Sequence, residues 1–455
     1  MSRYQKYPAY KDSGVEWIGD IPEHWEVKRL KFVSIVQPSN VDKKTNDGEF
    51  PVLLCNYSDV YNNFEIDSTL DFMQATATQE EIGKFHLSEG DVIVTKDSET
   101  PYDIAVPSYV KECFNNVICG YHLTQIKPKT IFGKYLFRLF QSTQFNAQFI
   151  VRANGVTRFG LPQYVINNAF IIKPLLEEQQ AIANFLDRKT AQIDELIAKK
   201  ESLLKKLHEK SIALIIQAVT KGLDLSVPMK ESGVNWIGKI PEHWTIWKVT
   251  HGFNTVGSGT TPKSDNLEYY DGDIPWVTTS ELRESIIENT SQKISVDALQ
   301  SHSALKIFPK ESIVIAMYGA TIGRLGILGI KATVNQACCV FANPVTFDPR
   351  FFYYWLLMRK PILISLSTGG GQPNLSLDDL KQIKIPIPSL QEQEAIAIFL
   401  DQATATIDLQ REKITEAIER LKEYRSALIT DAVTGKMDVH SYETKESFLP
   451  EQKRI

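Results

Sequence analysis

The phrase DSGVEWIGDIPEHW at residues 12–25 returns as ESGVNWIGKIPEHW at residues 231–244, with 11 of 14 positions identical at an offset of 219. Agreement of that length makes the chain an internal duplication, and a repeat decides an architecture before any single element does. A second pair supports it: AIANFLDRKTAQIDELI (181–197) matches AIAIFLDQATATIDLQR (395–411) at an offset of 214. Ile182, Phe185, Leu186, Asp187, Ile193 and Asp194 all recur. Each copy follows a Pro-containing extended stretch, IIKPLLEEQQ or IPIPSLQEQE. The order is phrase, variable domain, long helix, written twice.

Gly and Pro are absent from 182–221 and 396–434, which predicts two uninterrupted helices. In the second, Ile407, Ile414, Leu421 and Leu428 recur every seven residues, with Ile418 and Tyr424 between them. In the first, Ile193, Leu196, Leu203, Leu207 and Leu214 mark a similar stripe. A period near 3.5 with charged flanks predicts a coiled-coil seam. About 38 residues at helical rise give a rod of roughly 57 Å. Two such helices in one chain most simply pack antiparallel on each other; the alternative is that each packs on its own variable domain. The TKG and TGK tripeptides supply the glycine that ends each helix. Glu195 and Glu416 read as solvated carboxylates on the outer faces.

The variable stretches, 26–175 and 245–389, share little sequence. GDVIVTK (90–96) still corresponds to ESIVIAM (311–317), and the surroundings of Leu161 to those of Leu375. Val92-Ile93-Val94, Ile171-Ile172, Ile313-Val314-Ile315 and Ile383–Ile387 predict strands. KYLFRLFQSTQFNAQFI and PRFFYYWLLMRKPILISL predict amphipathic helices, the latter so aromatic that it must be mostly buried. The expected fold class is α/β (mixed α+β): two globular domains joined by two long antiparallel coiled-coil helices in an internal pseudo-twofold repeat. The expected bounds are 1–175, 176–222 (long helix), 223–389, 390–436 (long helix) and a tail at 437–455.

At 455 residues the chain needs more than one core. Its hydrophobic fraction of 43% and charged fraction of 23% are those of an ordinary soluble globular protein. No run approaches the roughly 20 apolar residues of a membrane span, and the amino terminus lacks an apolar signal segment. Cys55, Cys113, Cys119, Cys338 and Cys339 form no CxxC pair, so neither a disulfide framework nor a thiolate zinc site is expected. These features predict a cytoplasmic protein. A net charge of −5 argues mildly against a freestanding nucleic-acid binder, although local patches set the field at a phosphate backbone.

Catalytic constellations are missing. YGATIGRLGILG (318–329) lacks the lysine and following helix of a phosphate loop. No GxGxxG follows a strand, Asn343-Pro344-Val345-Thr346 departs from an amino-methyltransferase tetrapeptide, and HExxH is absent. His24 and His243 belong to the repeated phrase and read as packing and hydrogen-bonding residues beside Trp25 and Trp244.

This pattern resembles the specificity subunit of type I DNA restriction-modification systems, over essentially the whole chain. The two SGVxWIGxIPEHW segments carry the resemblance, with EQQAIANFLD and EQEAIAIFLD at the helix starts and GSGTTPK…YYDGDIPWVTTSEL (257–282). SIVIAMYGATIGRLGI…TVNQA and GGGQPNLSLDDLKQIKIPIP look like the family's second recognition domain. The first half, GDVIVTKDSETPYDIAVP and GVTRFGLPQYVINNAFIIKP, keeps only the outline.

The resemblance implies a non-catalytic subunit in which each variable domain reads one half of a split double-stranded DNA target. The paired helices would fix the spacer between the halves. It further implies methyltransferase subunits, two of them, docked on the long helices, and restriction subunits that translocate and cut. S-adenosylmethionine, ATP and Mg would then sit on those partners and none in this chain. Base contacts are expected from polar residues in glycine-rich or turn-like segments. In the second domain these are Ser258, Thr260, Thr261, Lys263, Tyr318, Arg324, Gln336, Gln372 and Asn374. In the first they are Lys96, Ser98, Arg152, Asn154 and Arg158. For each, the alternative is a solvent-facing or turn-stabilising role. The competing functions are the recognition subunit of a system that cuts on both sides of its site (type IIB-like), a self-contained DNA-modifying enzyme, and a protein-only coiled-coil scaffold.

Overall fold

A computed structural model describes residues 5–365 and 374–439. The two long helices run as Leu176–Lys221 and Leu390–Val433, 46 and 44 residues. Compact packing divides the chain into Met1–Lys200 with Thr415–Ile455, and Glu201–Ile414. The division runs through both long helices. Each unit owns one variable domain, one repeated phrase, and half of each helix.

In the first unit a five-stranded sheet orders its strands as Ser34–Pro38, Leu123–Pro128, Val92–Thr95, Pro107–Val110 and Glu65–Ile66. In the second the order is Phe253–Ser258, Cys338–Pro344, Ile313–Ala316, Leu325–Leu328 and Ser285–Ile287. The connectivity is the same, including the final parallel pair in an otherwise antiparallel sheet. All four residues of Val92–Thr95 and of Ile313–Ala316 are buried, as apolar runs covered on both faces require. A three-stranded sheet accompanies each: Val117–Cys119, Phe50–Cys55 and Met73–Ala77 in the first unit, Thr333–Val334, Ile274–Val277 and Lys293–Ile294 in the second. Sequence similarity between the variable stretches is slight, so the shared topology rests on burial pattern rather than on residue identity.

The main core of the first unit joins Val92, Val94, Tyr135 and Phe149 to Ile182, Phe185, Leu186 and Ile193 of the first helix, and to Leu428, Ile429 and Val433 of the second. The core of the second unit joins Phe341, Phe352 and Trp355 to Ile215 and Val219, and to Ile396 and Leu400. Within each unit the start of one helix thus lies beside the end of the other, running oppositely. Both sequence alternatives hold at once: the helices pack on each other and on the domains. The aromatic segment is the helix Pro349–Ser365, with Phe351, Phe352 and Trp355 fully buried.

The first-helix stripe needs correction. Leu196 and Leu203 are 43% and 45% exposed, whereas Ile193 and Leu207 are buried and Ile197 and Leu204 half-buried. Moving one residue turns a side chain 100° round the helix, so the seam is Ile193, Ile197, Leu204, Leu207. In the second helix Ile407, Ile418 and Leu428 are buried, while Tyr424 faces solvent. Gly222 and Gly435 follow the helices with φ of 75° and 74°, the left-handed conformation that ends a helix at glycine. Among the described residues no helix is long and apolar enough to cross a membrane.

Candidate nucleic-acid interface

Each repeated phrase builds the joint that holds a domain in place. Trp25 is fully buried, and its Nε1 donates to Glu178 Oε2 at 2.9 Å in the first turn of the first long helix. His24 Nε2 lies 3.0 Å from the same oxygen, and the Tyr7 hydroxyl donates to Oε1 at 2.6 Å. Burial, then the carboxylate beside it, push the Tyr7 phenol well above its ordinary pKa. In the second unit Trp244 Nε1 donates to Glu392 Oε1 at 3.0 Å, and His243 Nε2 lies 2.9 Å from Oε2. The phrase also meets the end of the other helix: a Cβ on Gly435 would fall 2.3 Å from Pro22.

The following residues of the helix motif complete the joint. Gln179 Oε1 accepts from the Phe132 amide at 2.7 Å, and Gln393 Oε1 from the Asp348 amide at 2.9 Å. Asp187 takes Arg138 at 2.7 Å and Lys134 at 2.5 Å; Asp401 takes Arg350 at 3.0 Å and the Tyr354 hydroxyl at 2.8 Å. Burial holds the Arg138 guanidinium below its ordinary pKa, while Asp187 pulls it back up. Sequence alignment marked Asp187 as repeated but gave no partner, since Arg138 and Tyr354 come from dissimilar domains.

From these joints the two sheets carry corresponding edges. The Lys96 amide donates to His122 O at 3.0 Å, and Lys96 O accepts from Leu161 N at 2.7 Å. The Met317 amide donates to Ala337 O at 2.8 Å, and Met317 O accepts from Leu375 N at 2.7 Å. Lys96 and Met317, His122 and Ala337, and Leu161 and Leu375 therefore occupy equivalent places. One residue on, Asp97 pairs with Gly160 and Tyr318 with Asn374.

The side chains on these edges differ in kind. In the first unit Lys96 Nζ donates to Ser39 O at 3.1 Å and lies 4.9 Å above the Tyr121 ring. Arg158 donates through Nε and Nη2 to Asp97 Oδ1 at 3.1 and 2.7 Å, while His122 Nδ1 lies 2.5 Å from Asp97 Oδ2. The Asn154 and Gly160 backbones bond each other and close the loop that carries Arg158. In the second unit uncharged groups meet: the Thr261 hydroxyl donates to Gln336 Oε1 at 2.5 Å, and Trp276 Nε1 to Thr260 O at 3.3 Å. Gly259 lets this loop approach the neighbouring strand, because a Cβ there would lie 1.7 Å from Val334 O.

The expected contact residues thus separate. Lys96, Asn154 and Arg158 gather on the first edge, and Ser258, Thr260, Thr261, Tyr318, Gln336 and Asn374 on the second. Ser98 belongs to the first edge but is buried and its hydroxyl accepts from the Thr100 amide at 3.4 Å, so it holds the loop rather than presenting a group outward. Arg152 lies elsewhere, in a basic cluster with Arg29, Lys31 and the exposed Phe32. Arg324 is half-buried just before the strand Leu325–Leu328, its carbonyl accepting from the Ala316 amide at 2.9 Å, and Lys263 is exposed on the loop after Gly259. Gln372 lies outside the described residues. Sequence reasoning missed Asp97 and His122; the end of the repeated strand 90–96 was the signal that could have found Asp97. His122 has φ of 71°, a conformation nothing in the local sequence announces.

One scaffold built twice, with matched joints and unlike exposed edges, defines a duplicated recognition protein. The chain belongs to the family of the type I restriction modification DNA specificity domain, which matches residues 22–206 and 241–420. It is 26% identical over 430 residues to a protein of Methanocaldococcus jannaschii described as the putative type I restriction enzyme MjaX specificity subunit, covering 93% of this chain and 96% of that one. It is also 26% identical over 297 residues to the Escherichia coli type I restriction enzyme EcoBI specificity subunit, covering 62% of each. The fold matches a chain from a solved type I R-M system with a TM-score of 0.69 at 17% identity, covering 91% of this chain and 98% of that one. The HsdS subunit of Thermoanaerobacter tengcongensis matches at 0.55, also at 17% identity, covering 92% and 98%.

Proposed function

We propose that the chain is a non-catalytic DNA sequence-specificity subunit that reads a bipartite duplex target, one half-site per edge. The observation that carries this is the pair of equivalent edges: identical strand order and joints, with Lys96, Asp97 and His122 in one where Met317, Tyr318 and Ala337 stand in the other. A duplicated frame with different donors and acceptors suits two different base sequences, because bases are read by side-chain hydrogen bonding in the grooves. The subunit directs methyltransferase and restriction subunits to that target, in the cytoplasm. S-adenosylmethionine, ATP and Mg belong to those partners.

Docking of the methyltransferase subunits on the long helices is supported by apolar side chains outside the seam. Leu196, Leu203, Ile212 and Ile216 on the first helix, and Ile398, Phe399 and Leu409 on the second, are each 39–52% exposed. Side chains of that kind on a helix surface suit a protein interface. The test is gel-shift of the subunit, assembled with its methyltransferase, on a randomised duplex library. Enrichment of two fixed sequences separated by an unspecified spacer is expected; an unselected or uninterrupted sequence would discard the reading.

A further inference from the structure

We infer that Arg158 reads a guanine in the half-site served by the first unit, with Asp97 as the residue that positions it. This rests on the reading proposed above. Asp97 is largely enclosed, its side chain 13% exposed, and it spans two partners: Oδ1 faces Arg158 and Oδ2 faces His122. The arginine side chain is 57% exposed, so the carboxylate anchors a guanidinium whose other edge faces outward.

Which edge is anchored decides the chemistry. Nε and Nη2 both point at Asp97 Oδ1, at 3.1 and 2.7 Å. Nη2 also lies 3.5 Å from His122 Nδ1, but a ring nitrogen that donates to the Asp97 carboxylate has no lone pair to accept, so Nη1 and the outer N–H of Nη2 remain as a parallel pair of donors at the tip of the side chain. Guanine offers two acceptors, O6 and N7, at matching spacing in the major groove, and this is the arrangement an end-on guanidinium satisfies. Adenine presents an amino donor where guanine has O6 and would meet a donor with a donor. Fixing the arginine beforehand removes the rotamer freedom it would otherwise lose on binding.

The loop supports the same assignment. Gly155 has φ of 152°, and a Cβ there would lie 1.9 Å from Arg158 O, so the 154–160 turn is tightly folded around the arginine. Among the described residues of the second edge, Tyr318 stands where Asp97 does and Ala337 where His122 does, so no carboxylate is there to hold an arginine. The Asp97-anchored contact therefore belongs to the half-site of the first unit.

The experiment uses the subunit assembled with its methyltransferase partner. Methylation is measured on duplexes carrying the selected target, each guanine of which is replaced in turn by 7-deazaguanine, which lacks N7. For the wild type, one guanine in one half-site should show a loss of about tenfold or more. R158A should lose discrimination at that guanine by a similar factor, become insensitive to the 7-deaza change there, and keep its preference in the other half-site. D97N keeps the arginine but loosens it, and should show a smaller loss at the same base. R158K guards against a folding defect, since it retains charge but cannot make the paired contact. Unchanged guanine discrimination in both R158A and R158K would overturn the assignment while leaving the two-part target intact. Absence of any sequence preference in the wild type would overturn the underlying reading as well.

Discussion

The indole of Trp25 and the carboxylate of Glu178 form one end of the joint between the first repeated phrase and the first long helix, at 2.9 Å. Trp244 and Glu392 repeat it at 3.0 Å. The fourteen-residue phrase is written twice because each domain must be held by the same lock. Its histidine is a second donor to the same carboxylate, and the phrase meets the glycine that ends a long helix through Pro22 in the first unit and through the Trp244 ring in the second.

Glu178→Ala should therefore destabilise the first unit. Three donors lose their acceptor in a site where the Glu178 side chain is 7% exposed, a cost of about 1–3 kcal/mol. Glu392→Ala should cost less, since its side chain is 28% exposed and water can replace it. Urea denaturation midpoints of the two variants check the order.

The Arg138–Asp187 pair should behave as a buried ion pair. The arginine side chain is 9% exposed and also bonds Thr190 at 3.2 Å. Asp187→Ala strands that charge and is expected to cost about 3 kcal/mol, whereas replacing the pair by Met and Leu together should cost far less. Asp401→Ala should be milder, because Arg350 is 39% exposed and can turn to water. Thermal unfolding of the three variants measures this.

Gly259→Ala should alter reading by the second edge. Its side chain would collide with Val334 O and displace the loop bearing Thr260 and Thr261. The half-site served by the second unit should lose selectivity while the other keeps it, as scored on a duplex library randomised in one half at a time.

Removal of one heptad within 190–215, with one heptad from the second long helix, should shorten the tolerated spacer and leave both half-sites unchanged. Methylation-site mapping with such a variant reads spacer and half-sites together. An unchanged spacer would remove the ruler role from the helices.

Much of the fold was legible because duplication exposes itself by identity and long helices by period. The Leu176–Lys221 and Leu390–Val433 helices fall within a few residues of the expected bounds. The seam phase was misread at Leu196 and Leu203, since Leu196 to Leu203 and Ile197 to Leu204 keep the same seven-residue spacing one position apart. The Asp187 and Asp401 joints were visible only as repeated letters, because their partners lie about fifty residues upstream in domains that share topology without sequence. The edges were hardest. Asp97, His122 and Arg158 meet through a strand end, a left-handed turn and a closed loop, and no local pattern links them.

The most direct test is methylation sequencing in a methylation-free host expressing this subunit with its methyltransferase partner, before and after residues 245–389 are replaced by the corresponding stretch of a relative. The account predicts a two-part motif with an unspecified spacer, in which the exchange rewrites one part and preserves the other. A single uninterrupted motif, or an exchange that changes both parts, would contradict it.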